Sequence, residues 1–157
     1  MNIRLFALLA FSISLSACSI FESGDDNNYL VFGHFYGFCG GADCNIVFKL
    51  DNENLFRATD PSYPGEVAID YKFEKQSKAQ YQKAKDLIDL LPEELLSEAD
   101  GTIGCPDCHD QGGLIIEYYD GEDLRRWRLD QSKNGLPKYL HPFSDAVNAR
   151  IKTLTTP

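Results

Sequence analysis

The residues best able to do chemistry in this chain are four cysteines in two short pairs, Cys39-x4-Cys44 and Cys105-x2-Cys108. Three chemistries fit them. As disulfides they allow three pairings: one local, closing two small loops, and two crossed, stapling one cysteine loop to the other. As thiolates they could supply the tetrahedral S4 shell that suits Zn²⁺, with His109 as a spare ligand. The 60 residues between the pairs are no obstacle if both loops meet at one end of a sheet. As a redox couple, Cys105 and Cys108 would exchange electrons with other thiols.

The redox option has a family pattern behind it. Cys105-Pro106-Asp107-Cys108 resembles the C-x-x-C of thioredoxin-like oxidoreductases, where the motif heads a helix whose N-terminus lowers the thiol pKa. Here His-Asp-Gln-Gly-Gly and a strand pattern follow instead. His109 and Asp110 have the types of a base and its orienting carboxylate, yet no nucleophile motif accompanies them, and a polar loop ordinarily leaves such a pair in solvent. His34 falls in a strand pattern, and His141 precedes Pro142 near a helix start, which favours packing and capping roles. There is no phosphate-binding loop, dinucleotide turn or zinc-protease helix motif. The balance favours a protein that is not an enzyme.

The fifth cysteine belongs to a different segment. Arg4 gives residues 1–4 a positive start, and residues 5–15 (LFALLAFSISL) carry no charge. Eleven residues span about 16 Å as a helix, about half a hydrocarbon core, which suits an export signal rather than a membrane span. Leu15-Ser16-Ala17-Cys18 then resembles the lipobox of bacterial lipoproteins. That resemblance implies cleavage before Cys18, a diacylglycerol on its sulfur and usually an acyl chain such as palmitate on the freed amine. Ser19, where an inner-membrane lipoprotein would carry aspartate, implies the outer membrane, facing the periplasm or the cell surface. Glu22-Ser23-Gly24-Asp25-Asp26 resembles surface-export signals of some lipoproteins and reads equally as a polar tether.

Assigning Cys18 to lipid leaves four cysteines, and export past the inner membrane favours pairing them as disulfides. The mature chain, residues 18–157, has 140 residues, enough for one domain with a real core. Loss of Arg4 takes the formal charge from −9 to −10, which argues against nucleic acid as a partner. The one basic knot, Arg125-Arg126-x-Arg128, would divide between two faces of a strand, with one arginine left to pair with a carboxylate or a ligand.

These cysteines must be positioned by the elements around them. After a flexible tether (18–28), residues 29–36 read as a strand, 37–44 as a glycine-rich loop, and 46–50 as a strand that turns at 51–54 into a hairpin partner at 55–59. Pro61 and Pro64 mark a loop, and 67–73 suits another short strand. Ser77 and Gln80 form a capping-box pattern opening a helix, with Tyr81, Ala84, Ile88, Leu91 and Leu95 as its apolar stripe and Pro92 as a kink or restart. Residues 100–113 form the second cysteine loop, 114–119 and 125–130 a second hairpin, and Leu140, Phe143, Val147, Ile151 and Leu154 the stripe of a final helix. The expectation is one two-layer α+β domain over 29–157: a mainly antiparallel sheet of two hairpins, four to six strands, against two amphipathic helices. Cysteine loop, acidic hairpin turn and helix recur twice, the outline of an internal duplication.

Gly104-Cys105-Pro106-Asp107-Cys108 with Asp110-Gln111-Gly112-Gly113, and the earlier cysteine-glycine loop, resemble small uncharacterised bacterial lipoproteins over most of the mature chain. The resemblance implies an exported single domain and carries no mechanism. The expected role is a lipid-anchored envelope protein, a binding or inhibitor-type module for a protein or small ligand, with Phe35, Tyr36 and Phe38 as contact surface or core. Its alternatives are a thiol-disulfide redox protein using Cys105 and Cys108, and a domain in which zinc is the cofactor.

Overall fold

The computed structural model describes residues 27–37, 39, 44–59 and 71–156. The signal segment 1–17, Cys18 and most of the tether, Phe38, and the prolines of the 60–70 segment lie outside the described residues.

A continuous apolar run, Leu30-Val31-Phe32, marks a strand buried on both faces rather than one with a wet side. That strand, β1 (Tyr29–Phe35), is the middle of a seven-stranded sheet. On one flank it pairs antiparallel with β2 (Ile46–Asp51), which leads outward to β3 (Leu55–Ala58) and β4 (Phe73–Lys75). On the other flank it pairs antiparallel with β6 (Gly113–Tyr119), followed by β7 (Leu124–Asp130) and the edge strand β5 (Gly101–Ile103). β5 runs parallel to β7, so the sheet is mixed.

The α+β class stands, and its detail is corrected. Among the described residues seven strands replace four to six, because Gly101-Thr102-Ile103 carries no strand pattern of its own and gains strand geometry only beside β7. Of the strand sought at 67–73, only Phe73 is strand, as the first residue of β4; Tyr71 and Lys72 precede it outside the strand, and 67–70 lie outside the described residues. Nor do the halves pair as repeats would: β1 lies antiparallel to β2, whereas the strand before the second hairpin lies parallel to β7.

The first helical stretch is three short pieces. Ser77 Oγ accepts the Gln80 N–H at 3.2 Å and caps α1 (Lys78–Ala84). Only half the capping box forms, since Gln80 Nε2 turns away to donate to the Leu154 carbonyl at 3.3 Å. A 3-10 turn at Ile88–Leu90 follows, and Pro92 serves as N-cap of α2 (Glu93–Ser97), where its missing N–H costs nothing. The long helix α3 (His141–Thr155) buries Phe143, Val147, Ile151 and Leu154. Among the described residues three helices therefore cover the sheet, not two.

All three pack on one sheet face, where Leu30, Phe32, Phe48, Leu50, Ile116, Trp127 and Leu129 point. The opposite face carries a smaller buried cluster of Val31, Phe35, Val47, Ala58, Tyr71 and Ile115. No helix among the described residues is long and apolar enough to cross a membrane.

Phe32 lies at the centre of the main core, fully buried and stacked on Phe48 with ring centroids 5.5 Å apart. Phe32→Ala should lower the unfolding free energy by about 3–5 kcal/mol, read from the urea midpoint at unchanged m.

Candidate functional site

β1 and β6 pair in register from Tyr29↔Tyr119 to Phe35↔Gly113. The first cysteine loop leaves β1 just beyond Phe35, and the second enters β6 just before Gly113. The two loops therefore meet at one end of the sheet. Both are closed locally, Cys39 to Cys44 and Cys105 to Cys108, each with Cα atoms 5.5 Å apart. Neither crossed pairing forms. By loop length, each bond removes about 2 kcal/mol of unfolded-chain entropy.

A carboxylate rather than a sulfur joins the loops. Asp107, between the paired cysteines, accepts the Gly37 N–H at 2.7 Å through Oδ2 and the Gly112 N–H at 3.0 Å through Oδ1. Its own N–H returns to the Gly112 carbonyl at 2.9 Å. Its φ is 61°, in the left-handed region that aspartate tolerates better than most residues. Gly112 is needed for a different reason. Its φ is +72°, and a Cβ there would run into the Tyr36 ring and the Phe35 carbonyl.

A second carboxylate fixes the root of the loop. Asp130, 4% exposed at the end of β7, accepts the Cys105 N–H at 2.9 Å and the Ser132 N–H at 2.8 Å. Asn45, also buried, accepts the Tyr36 N–H at 3.1 Å and ties the two ends of the first loop. Gln111 bridges the tip, donating to the Cys105 carbonyl at 2.8 Å and accepting the His109 N–H at 2.7 Å. His109 and Asp110 stand in solvent on this turn, with Asp110 at φ 58°. Phe35 is core, Tyr36 is half-buried against Gly112, and Phe38 lies outside the described residues.

The C-x-x-C lies in the turn between β5 and β6, so the helix head of the thioredoxin-like pattern is absent and no helix dipole lowers a thiol pKa there. An S4 zinc shell needs four thiolates, whereas these four sulfurs are spent on disulfides. Among the described residues no group of three or more His, Cys, Asp or Glu is placed to hold a metal ion.

Other sequence candidates scatter. Arg125 and Arg126 point to opposite faces, as strand alternation dictates. Arg125 bonds Asp100 at 2.6 Å and the Leu96 carbonyl at 2.9 Å, and lies over Trp127. Arg126 pairs with Glu117 at 3.3 Å. His141 bonds the Leu136 carbonyl at 3.1 Å, at the helix start expected of it.

His34 packs against α3, its Nε2 bonded to Asn148 Oδ1 at 2.7 Å, and burial pushes its pKa below the usual 6.5.

Sequence reasoning missed Glu117. It sits midway along β6 on the face away from the helices, opposite Val31, with its side chain 13% exposed. Burial raises its pKa against the pull of Arg126. The Tyr71 hydroxyl is buried without a hydrogen-bond partner among the described residues, and burial together with the Glu117 charge pushes its pKa up. The ring of Tyr29 lies tilted against that of Tyr119, centroids 5.2 Å apart, and carries Lys49 Nζ 3.9 Å above it. A single glutamate inside the apolar run Leu114-Ile115-Ile116-Glu117-Tyr118 was the available signal.

Compared with protein-family models and with curated proteins, the chain matches none. The class that the fold defines is an α+β domain whose mixed sheet presents two disulfide-closed loops at one end.

Gly112→Ala should destabilise by about 1–3 kcal/mol in urea unfolding, combining left-handed strain with the clash against Tyr36. The lowered pKa of His34 sets a pH dependence. Below about 6.5 the unfolded chain takes a proton there before the folded chain does, so its contribution is full above that pH and is lost as pH falls. Between pH 7 and 5 the stability of His34→Gln should therefore fall less steeply than that of the parent, read as two sets of urea midpoints.

Proposed function

We propose that this protein is a lipid-anchored binding module of the bacterial cell envelope, held in the outer membrane through Cys18, that engages an envelope protein through its paired disulfide loops. The observation that carries the reading is the convergence of both loops at the end of β1 farther from Cys18. Ten residues separate Cys18 from Tyr29, where β1 begins. The loops follow Phe35, and β1 has seven residues, a length of about 23 Å. An anchor on the Tyr29 side leaves the stapled loops free to face away from the bilayer.

Two features of that end suit recognition. Cys39, Cys105, Cys108, His109 and Asp110 are exposed there. The backbone that bears them is pinned by Asp107, Asp130 and Asn45, so little ordering entropy is lost when a partner binds. A small module of this shape fits inhibitor-type binding as readily as scaffolding. Two acyl chains, at about 0.8 kcal/mol per buried CH₂, suffice for stable anchoring.

Intact mass of membrane-extracted protein tests the anchor. The expected species starts at Cys18, carries acyl adducts, and gains about four mass units on reduction, one hydrogen per disulfide sulfur. A chain starting at Cys18 without acyl mass would refute the anchor. Photo-crosslinkers at His109 and Gln111, compared with Glu53 and Glu122 at the other sheet end, test the binding face. Protein adducts should form from the first pair, and adducts confined to the second would refute it.

A further inference from the structure

We propose that the Cys105–Cys108 disulfide is a redox-exchange site, reduced by a dithiol protein, and that its opening releases the Asp107 hold on the first cysteine loop. The two disulfides differ in how readily a thiolate can break them. Cys105 and Cys108 are both exposed, whereas Cys44 is 6% exposed. Thiol–disulfide exchange expels the sulfur that is not attacked as a thiolate, and it runs faster when that thiolate is well stabilised. Attack at Cys39 would leave a thiolate at buried Cys44, where desolvation disfavours the charge. Attack at either sulfur of the other pair leaves a thiolate in water.

The exposed bond also governs something. Its ring spans three residue steps and contains Asp107 in the left-handed conformation. In that conformation one carboxylate reaches both the Gly37 N–H, in the first cysteine loop, and the Gly112 N–H, before β6. Residues 37 and 107 are 70 positions apart, and this contact bridges the two loops directly. Opening the ring frees Asp107 to leave the left-handed region and lets water replace it at Gly37. Asp130 still holds the Cys105 N–H, so the change stays within the turn rather than spreading into β7.

The exchange balances without any other reactant. A thiolate of the donor attacks one sulfur of the pair, the Cys105–Cys108 bond breaks, and a mixed disulfide forms. The second thiol of the donor then attacks that bond. The donor leaves oxidised to its own disulfide, and two electrons and two protons end on Cys105 and Cys108. None of this depends on the lipid anchor or on a binding partner.

The test uses the full mature chain in detergent, treated with limiting reduced thioredoxin or dithiothreitol, quenched in acid, alkylated and mapped by peptide mass. Cys105 and Cys108 should be alkylated at least about tenfold sooner than Cys39 and Cys44, with about tenfold faster hydrogen exchange at the Gly37 amide once they are open. In Asp107→Ala that amide should exchange fast while still oxidised and change little on reduction. The proposal is overturned if both bonds open at one rate, if Cys39–Cys44 opens first, or if Gly37 exchange is unmoved by reduction of Cys105–Cys108. These last measurements are made on the parent chain, so they decide the matter even where Asp107→Ala does not fold.

Discussion

The antiparallel pairing of β1 with β6 is the constraint on which the rest of the molecule depends. It joins two meanders that would otherwise be separate sheets of four and three strands, and it does so through seven residue pairs. Because β1 is flanked by β2 on one side and β6 on the other, Leu30 and Phe32 face the helices while Val31 and Phe35 enter the cluster behind the sheet. The same register ends at Phe35↔Gly113, so the first cysteine loop begins beside the point where the second one ends. A slip of one residue would turn every side chain of β1 to the wrong face and part the loops.

Within the loops, the division of labour between sulfur and carboxylate is clear. The disulfides close short rings and restrain each loop by itself. Among the described residues, joining the loops falls to Asp107, and attaching the second one to the sheet falls to Asp130, each through backbone N–H groups. These carboxylate bonds are the stronger, charge-assisted kind, and they satisfy donors that a tight turn leaves without strand partners. Gly104 and Gly135 come close enough to Asp130 that a Cβ on either would displace it. The acidic excess of the chain is thus partly structural.

The face away from the helices carries its own polar centre. Glu117 pairs with Arg126, Lys49 and Tyr119 both meet the ring of Tyr29, and Tyr29 feels the charges of Glu117 and Arg126. Glu117 keeps its raised pKa because Arg126 offsets only part of the cost of burying it. Neighbouring Tyr71, buried and close to that charge, resists ionising.

By itself the sequence determined whatever depends on neighbours a few positions apart. Ser77 caps a helix, Pro92 starts another, the stripe from Phe143 to Leu154 is buried, and Arg125 and Arg126 part across a strand. Each follows from the 3.6- or 2-residue period or from a cap one turn away. It also bounded the cysteine chemistry while leaving the pairing open. Tertiary structure decided the rest: β5 as a parallel edge strand, the local disulfides, the burial of Glu117, and the bond from Asp107 to Gly37 across 70 positions. Such contacts leave no local pattern to read, because their partners are chosen by the register of β1 on β6 and not by the residues beside them.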